Sequence, residues 1–312
     1  MSTTARAQIN LAARTAPPGT TPLAPLNPGL ALSAQAVSLR VGDLPALPAA
    51  LTEVLAALGS EVLNTEHLAQ LIERDPALCG RTLRLANSPF YGLQGRVGTA
   101  HDALRLLGLR SVGSMMSAAS LAGYAHLNRC TGFDFKVYWR HSLAVSLAAR
   151  EIALACGHDA DQAAVTGLLH DVGQLTLAAY FADAFAAALA LGRSADCDAV
   201  QAERSVLGLD HAQIGGLVAL HWNLPPAVVQ AIRGHHAPPP FASPGMATAL
   251  TDIVHLADAM AHALDLAQDP HEVVPPVSLD SWERLGAGGL DTDTVFAIVE
   301  EGVAAMATSL EL

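Results

Sequence analysis

A histidine followed directly by an aspartate stands near the end of a long apolar run, in residues 167–174, which read Gly-Leu-Leu-His-Asp-Val-Gly-Gln. Burying an ionised carboxylate costs roughly several kcal/mol unless the group is paired or binds a metal. His170 and Asp171 must therefore be solvated, partnered or ligating. Any fold for this chain has to supply that environment inside an otherwise apolar segment.

The remainder of the chain favours a core of closely packed helices. Apolar residues make up 51% of the 312 residues and aromatic residues only 4%, with alanine and leucine dominant. This length and apolar content suit one or two globular domains with a large buried core. Because small and straight-chain aliphatic residues favour helices, we expect an all-α protein.

Charge and cysteine usage exclude several classes of protein. The net charge is −12, and the 17 lysines and arginines form no patch, which argues against a nucleic-acid partner. The four cysteines are far apart and show no CxxC spacing, so a reducing cytoplasm fits better than a disulfide framework. The N-terminus is a poor signal peptide and no later run is suited to span a bilayer, so we expect no membrane partner.

The N-terminal third divides into a tail and a set of short helices. Residues 1–40 are rich in proline, glycine, threonine and alanine, which predicts a disordered tail. A helical period follows at residues 51–58, and Asn64 or Thr65 can cap a second helix. Asp75, followed by a proline, can cap a third helix. These signals predict a small helical subdomain.

The last part of the chain shows two further helical patterns. The proline-rich residues 237–245 predict a surface loop, and residues 248–266 predict a helix that carries Asp258 toward the centre. Residues 292–306 predict a final amphipathic helix that packs on the domain. No GxSxG elbow places a serine nucleophile in this sequence. No Walker-type loop or strand-borne GxGxxG occurs either, which argues against the classical nucleotide-binding folds.

Imidazole and carboxylate side chains recur in these helical contexts. Such a set without cysteine suits iron, manganese, nickel or zinc and argues against a closed structural zinc site. We therefore expect an open, catalytic-type metal site. The candidate ligands are His141, His170, Asp171, His211, His235, His236 and Asp258.

Several separate motifs, in the right order, resemble the HDOD domain, the HD-related output domain of bacterial signalling proteins. The resemblance covers about residues 40–285 and implies a two-lobed, all-α fold. Its N-terminal helical lobe, residues 41–130, would pack on an HD-like helical bundle, residues 131–285, followed by a linker and helix at 286–312. The motifs lie at residues 47–48, 72–78, 83–88, 91–92, 103–110, 167–173, 209–215 and 231–236.

The resemblance extends to the metal ligands of the HD superfamily. His141, His170, Asp171 and Asp258 match the H…HD…D pattern in order. The other three candidates resemble additional ligands of dinuclear HD phosphodiesterases, including the HD-GYP group, which implies one or two divalent ions. We expect solvated or hydrogen-bonded structural roles for the other histidines, namely His67, His101, His126, His158, His221, His255, His262 and His271.

Two departures from the catalytic pattern bear on function. Gln174 stands where catalytic HD enzymes usually have a lysine, so a cation beside the ligands is missing. The chain after His236 has no RPDGxGYP-like segment, which argues against a typical cyclic-di-GMP HD-GYP enzyme.

Two functions follow from this sequence. The favoured one is an output or scaffold module of bacterial signal transduction, without catalysis, whose HD-type pocket is able to bind metal. The alternative is a metal-dependent phosphohydrolase or phosphodiesterase of the HD superfamily. Both imply a signalling protein partner, and an alanine-rich helical surface is compatible with a homo-oligomer.

Overall fold

The structure, a computed structural model, describes residues 28–41, 65–74, 76–93, 95–106, 130–195, 197–239, 246–266 and 273–310. Regular secondary structure in these residues is helical, with no strand, which confirms the predicted all-α fold. Residues 100–106 are also helical. The other α-helices are α1 (Ala34–Val41), α2 (Thr65–Glu73), α3 (Pro76–Ala86), α4 (Phe135–Ala155), α5 (Ala160–Leu169), α6 (Val172–Tyr180), α7 (Ala182–Ala195), α8 (Ala199–Leu207), α9 (His211–His221), α10 (Pro226–Gly234), α11 (Met246–Leu264), α12 (Leu279–Arg284) and α13 (Thr292–Leu310).

Aspartate caps set where several of these helices begin. Asp134 accepts backbone N–H groups at the start of α4, and Asp159 and Asp198 do so at α5 and α8. Asp210 caps α9 by accepting the N–H of Gln213 at 2.8 Å. The cap fixes the first turn of α9, and the first residue of that turn, His211, is a candidate ligand.

Helices α4, α5, α10 and α11 pack together at the centre of the bundle. The approach of α5 to α4 is close at Gly167, where an added Cβ would lie 2.9 Å from the Val145 carbonyl oxygen. Helix α9 contacts both α6 and α10, and α13 contacts α4 and α3. The C-terminal helix therefore packs on the domain, as predicted, and connects the bundle to the N-terminal helices.

The disordered tail is predicted for residues 1–40, and its described part, residues 28–40, is instead ordered. Helix α1 packs on α9, and Val37 and Val41 are buried. The Leu32 N–H donates to the Leu207 carbonyl at 2.7 Å. Val37 and Val41 lie one helical turn apart, and their burial stabilises the helix although the preceding residues are rich in proline. Residues 1–27 and the helix predicted at 51–58 lie outside the described residues.

Within the described ranges, no single helix is long and apolar enough to cross a bilayer. One bent pair, Ala160–Tyr180 with Ala182–Ala195 at 119°, passes that test by length and composition. Most of its first part is buried within the bundle. The lobe boundaries given above stay predictions.

Candidate metal centre

Five separate parts of the fold bring the candidate ligands together. Helix α4 supplies one histidine, the turn between α5 and α6 supplies the adjacent histidine and aspartate, and α11 supplies the second aspartate. The first residue of α9 and the two residues after α10 supply three more histidines. All seven predicted residues meet at one place: His141, His170, Asp171, His211, His235, His236 and Asp258.

The Asp171 carboxylate lies between two groups of histidines. Its Oδ1 is 3.1 Å from His211 Nε2 and 3.6 Å from His235 Nε2. Its Oδ2 is 3.4 Å from His170 Nε2 and 3.9 Å from His141 Nε2. One oxygen therefore faces each group, an arrangement that allows one carboxylate to serve two ions.

Asp258 completes the first of these groups. Its Oδ1 lies 3.1 Å from His141 Nε2 and 3.6 Å from His170 Nε2. We call His141, His170, Asp171 Oδ2 and Asp258 Oδ1 the first subsite. The second subsite consists of Asp171 Oδ1, His211, His235 and His236, whose donor atoms lie within 4.8 Å of one another.

Backbone carbonyls orient two of the imidazoles. His170 Nδ1 lies 2.6 Å from the Gly167 oxygen, and His235 Nδ1 lies 2.7 Å from the Ile232 oxygen. A carbonyl only accepts hydrogen bonds, so each Nδ1 carries the proton. Each Nε2 then faces the carboxylates, and in the neutral imidazole it presents a lone pair, as metal-binding histidines commonly do.

Glu203 orients the His211 imidazole in the same way, and no local sequence motif predicts this contact. One Glu203 carboxylate oxygen accepts both the His211 backbone N–H and Nδ1–H, each at 2.7 Å. Only 3% of its side chain is exposed. Burial disfavours a charged His211 imidazole, but Glu203 and Asp171 outweigh burial and raise the His211 pKa well above the ordinary value.

The carboxylates are held ionised. Burial works against the charge on Asp171, but His170 and His211 hold the pKa of its carboxyl well below the ordinary value. Burial is likewise outweighed at Asp258, where His262 is the strongest of the neighbours that keep the pKa low. Two negative charges therefore face the same small space.

Two of the imidazoles are held neutral. Burial and the neighbouring His235 lower the pKa of His236 well below the ordinary histidine value. Burial and His262 lower the pKa of His141. A neutral imidazole is the form that binds a metal.

Buried polar atoms without a hydrogen bond indicate whether a cation fits among the candidate ligands. Among the described residues, Asp171 Oδ1, Asp258 Oδ1 and His235 Nε2 are buried and make no hydrogen bond. Leaving such atoms unpaired is costly, and all three point into the ligand cluster. Divalent cations that accept nitrogen and oxygen donors match this set, so the residues fit the metal that the sequence implied.

Gln174 is turned toward the ligands. Its side-chain Nε2–H donates to Asp171 Oδ2 at 2.7 Å. The amide therefore orients the carboxylate that lies between the subsites, but it brings no positive charge. Gln174 therefore lies beside the candidate ligands, and Asp171 is its hydrogen-bond partner.

One of the histidines for which a solvated or hydrogen-bonded role is predicted lies beside the centre. His262 Nε2 lies 3.3 Å from Asp258 Oδ1, one helical turn along α11. The i, i+4 spacing of Asp258 and His262 is the sequence signal that places the two side chains next to each other.

Other histidines have the structural roles expected of them. His255 is buried behind the centre, where its Nδ1–H donates to the His235 carbonyl at 2.7 Å and its Nε2 accepts the Ser278 N–H at 3.0 Å. His158 and His221 are exposed. His126 and His271 lie outside the described residues.

Comparisons with known proteins identify the family. The sequence pattern of the HDOD domain matches residues 44–238. An uncharacterised protein of Treponema pallidum (strain Nichols) is 28% identical over 263 residues, which is 81% of this chain. The chain spans only 48% of that relative's length.

Solved structures show the same fold. An HDOD domain protein from Geobacter sulfurreducens superposes with a TM-score of 0.72 at 22% identity, over 89% of this chain and 98% of that one. A protein from Shewanella amazonensis SB2B, provisionally named a phosphohydrolase, gives 0.67 at 26% identity, over 88% and 98% of the two chains. The chain therefore belongs to the HDOD domain family.

Proposed function

We propose that this HDOD protein is a metal-dependent phosphohydrolase or phosphodiesterase of bacterial signalling. The observation that carries the proposal is the Asp171 carboxylate, which directs one oxygen toward each histidine group. When bound at two such positions, divalent ions supply an activated water and stabilise charge on a phosphoryl group. The name of the Shewanella amazonensis relative is consistent with this chemistry.

The chain's own residues would hold and orient those ions. The first subsite offers His141, His170, Asp171 and Asp258, and the second shares Asp171 with three further histidines. Burying several carboxylates beside imidazoles is expensive, and a scaffold without a metal would be at least as stable with apolar residues there. Retention of the whole set therefore favours a functional metal centre.

An opening to solvent lies on one side of the centre. The His236 side chain is 23% exposed and His262 is 26% exposed, whereas His170 is fully buried. A phosphate ester would approach from the side of His236 and His262. Structural zinc sites, in contrast, are closed by four protein ligands.

A second function, favoured by Gln174, is a signalling module that binds metal without catalysis. The Gln174 amide is bonded to Asp171 and supplies no cation for a developing phosphoryl charge. In that case the metal would fix the arrangement of the helices around the centre and a protein partner would recognise it. We infer a signalling protein partner in the bacterial cytoplasm for either function.

Hydrolysis of model substrates separates the two functions. Protein loaded with Mn²⁺ or Fe²⁺ is assayed on p-nitrophenyl phosphate, bis(p-nitrophenyl) phosphate and cyclic dinucleotides. We expect turnover that is lost in His170→Ala and kept in His221→Ala, which removes an exposed histidine at the end of α9. Fully loaded wild-type protein without turnover on any of them would favour the second function.

A further inference from the structure

His262 lies at the edge of the first subsite, outside the ligand pattern of the HD superfamily. Its Nε2 is 3.3 Å from Asp258 Oδ1, and its ring centroid is 4.4 Å from that of His141. About a quarter of the side chain is exposed, so it lies between the buried carboxylate and solvent. Helix α11 places it one turn after Asp258, on the same face.

We propose that His262 is a further metal ligand of the first subsite, an inference that rests on the metal centre proposed above. Donor atoms of His141, Asp258 and His262 lie within 4.8 Å of one another. Independently of that spacing, Asp258 Oδ1 is buried and makes no hydrogen bond, although three imidazoles have an Nε2 within 3.6 Å of it. A cation among the three donors satisfies that oxygen, whereas the 3.3 Å contact between His262 Nε2 and Asp258 Oδ1 does not have the geometry of a hydrogen bond.

The additional donor changes which metal the subsite prefers. The structure groups His262 with His141 and Asp258, and it groups His141 also with His170 and Asp171. One ion that recruited both groups would have three imidazoles and two carboxylates, one donor more than the four of a tetrahedral structural zinc site. A higher donor number with nitrogen and oxygen atoms favours Mn²⁺, Fe²⁺ or Ni²⁺ over Zn²⁺. The first subsite is therefore selective for a metal of coordination number above four.

Metal titrations of the whole chain test the assignment. Mn²⁺ affinity and the visible absorption of the Co²⁺-loaded protein are measured for wild type, His262→Ala, His262→Gln and His221→Ala. We expect both His262 variants to bind one ion at least ~10-fold more weakly, since even residues that only support ligands cost ~10–100-fold when removed. Their Co²⁺ absorption should become more intense, as expected when the coordination number falls. His221→Ala should behave as wild type.

The controls distinguish failure of this inference from failure of the metal centre. If His262→Ala retains wild-type affinity and spectrum while His170→Ala loses metal, His262 is not a ligand and the centre still stands. If His262→Gln alone restores wild-type binding, His262 acts by hydrogen bonding to Asp258 and the assignment is overturned. If the wild-type protein binds no stoichiometric metal, the proposed function itself fails.

Discussion

Replacing Gly173 with alanine moves the second subsite without touching a ligand. Gly173 lies in the first turn of α6, where it packs against the first turn of α9. An added Cβ would lie 2.8 Å from the Gly215 nitrogen and closer still to the His211 carbonyl oxygen. Reaching an ordinary separation of about 3.5 Å requires a displacement of at least ~0.7 Å. Metal sites tolerate deviations of only about 0.2 Å, so His211 leaves its place opposite Asp171.

The same substitution should also lower the free energy of unfolding, by an amount that still allows the protein to fold. Overpacking a tight contact costs about 1–3 kcal/mol, and replacing a helical glycine returns up to ~1 kcal/mol. The close contacts are with backbone atoms, which cannot rotate away, so the net loss should be about 3 kcal/mol, and each kcal/mol lowers the melting temperature by roughly 2–4 °C in a domain of similar size. Such a loss is smaller than the about 5–15 kcal/mol by which folded domains are typically stable. Gly173→Ala should therefore fold and still bind an ion at the first subsite.

Metal content and calorimetric melting measure the two effects together. We expect Gly173→Ala to retain about one of two ions, with second-ion affinity at least ~10-fold lower, as found when ligand-orienting groups are removed. Gly80→Ala is the matched control, because its added Cβ would meet no atom within 4 Å and it lies inside α3. Two tightly bound ions in Gly173→Ala would refute the link between this packing contact and the position of His211.

Three further variants test the surroundings of the centre. Glu203→Gln keeps the shape but removes the charge that holds the His211 Nδ1 proton, so second-ion affinity should fall ~10–100-fold in a metal titration. His255→Leu removes one buried and one partly buried hydrogen bond next to the centre and should lower the free energy of unfolding by about 1–3 kcal/mol, measured by urea denaturation. Asp252→Ala leaves Arg284 without a buried partner that it contacts at 2.6 and 2.8 Å, and denaturation should show a loss of about 3–5 kcal/mol. Wild-type values for any of these would contradict the corresponding contact.

The cluster of candidate ligands could be predicted because its members stand in ordered motifs. His170 and Asp171 are adjacent in an apolar run, and the order of His141 and Asp258 around them matches a known pattern. The structure brings all of them together, with the additional histidines. Helix positions were equally accessible, since Asp75 followed by proline and the cap at Asp210 are local signals.

Three features could not be predicted from local sequence motifs, because they depend on packing between helices or on the spacing of two residues. Glu203 belongs to α8 and reaches His211 across the turn that joins α8 to α9, a contact that no local motif records. The place of His262 beside the centre shows only in its i, i+4 spacing from Asp258, because a single histidine in a helix is no sign of a site. Helix α1 could not be predicted from composition, because burial of its two valines stabilises the helix only when it packs on α9.

Metal analysis of protein purified without oxygen, with Asp171→Ala prepared in parallel, tests the central claim most directly. One carboxylate serves both subsites in this structure, so the wild type should contain close to two divalent ions per chain. Asp171→Ala should lose both ions while keeping its helical circular dichroism. A wild-type protein without stoichiometric metal, or an Asp171→Ala protein that keeps both ions, would contradict the account.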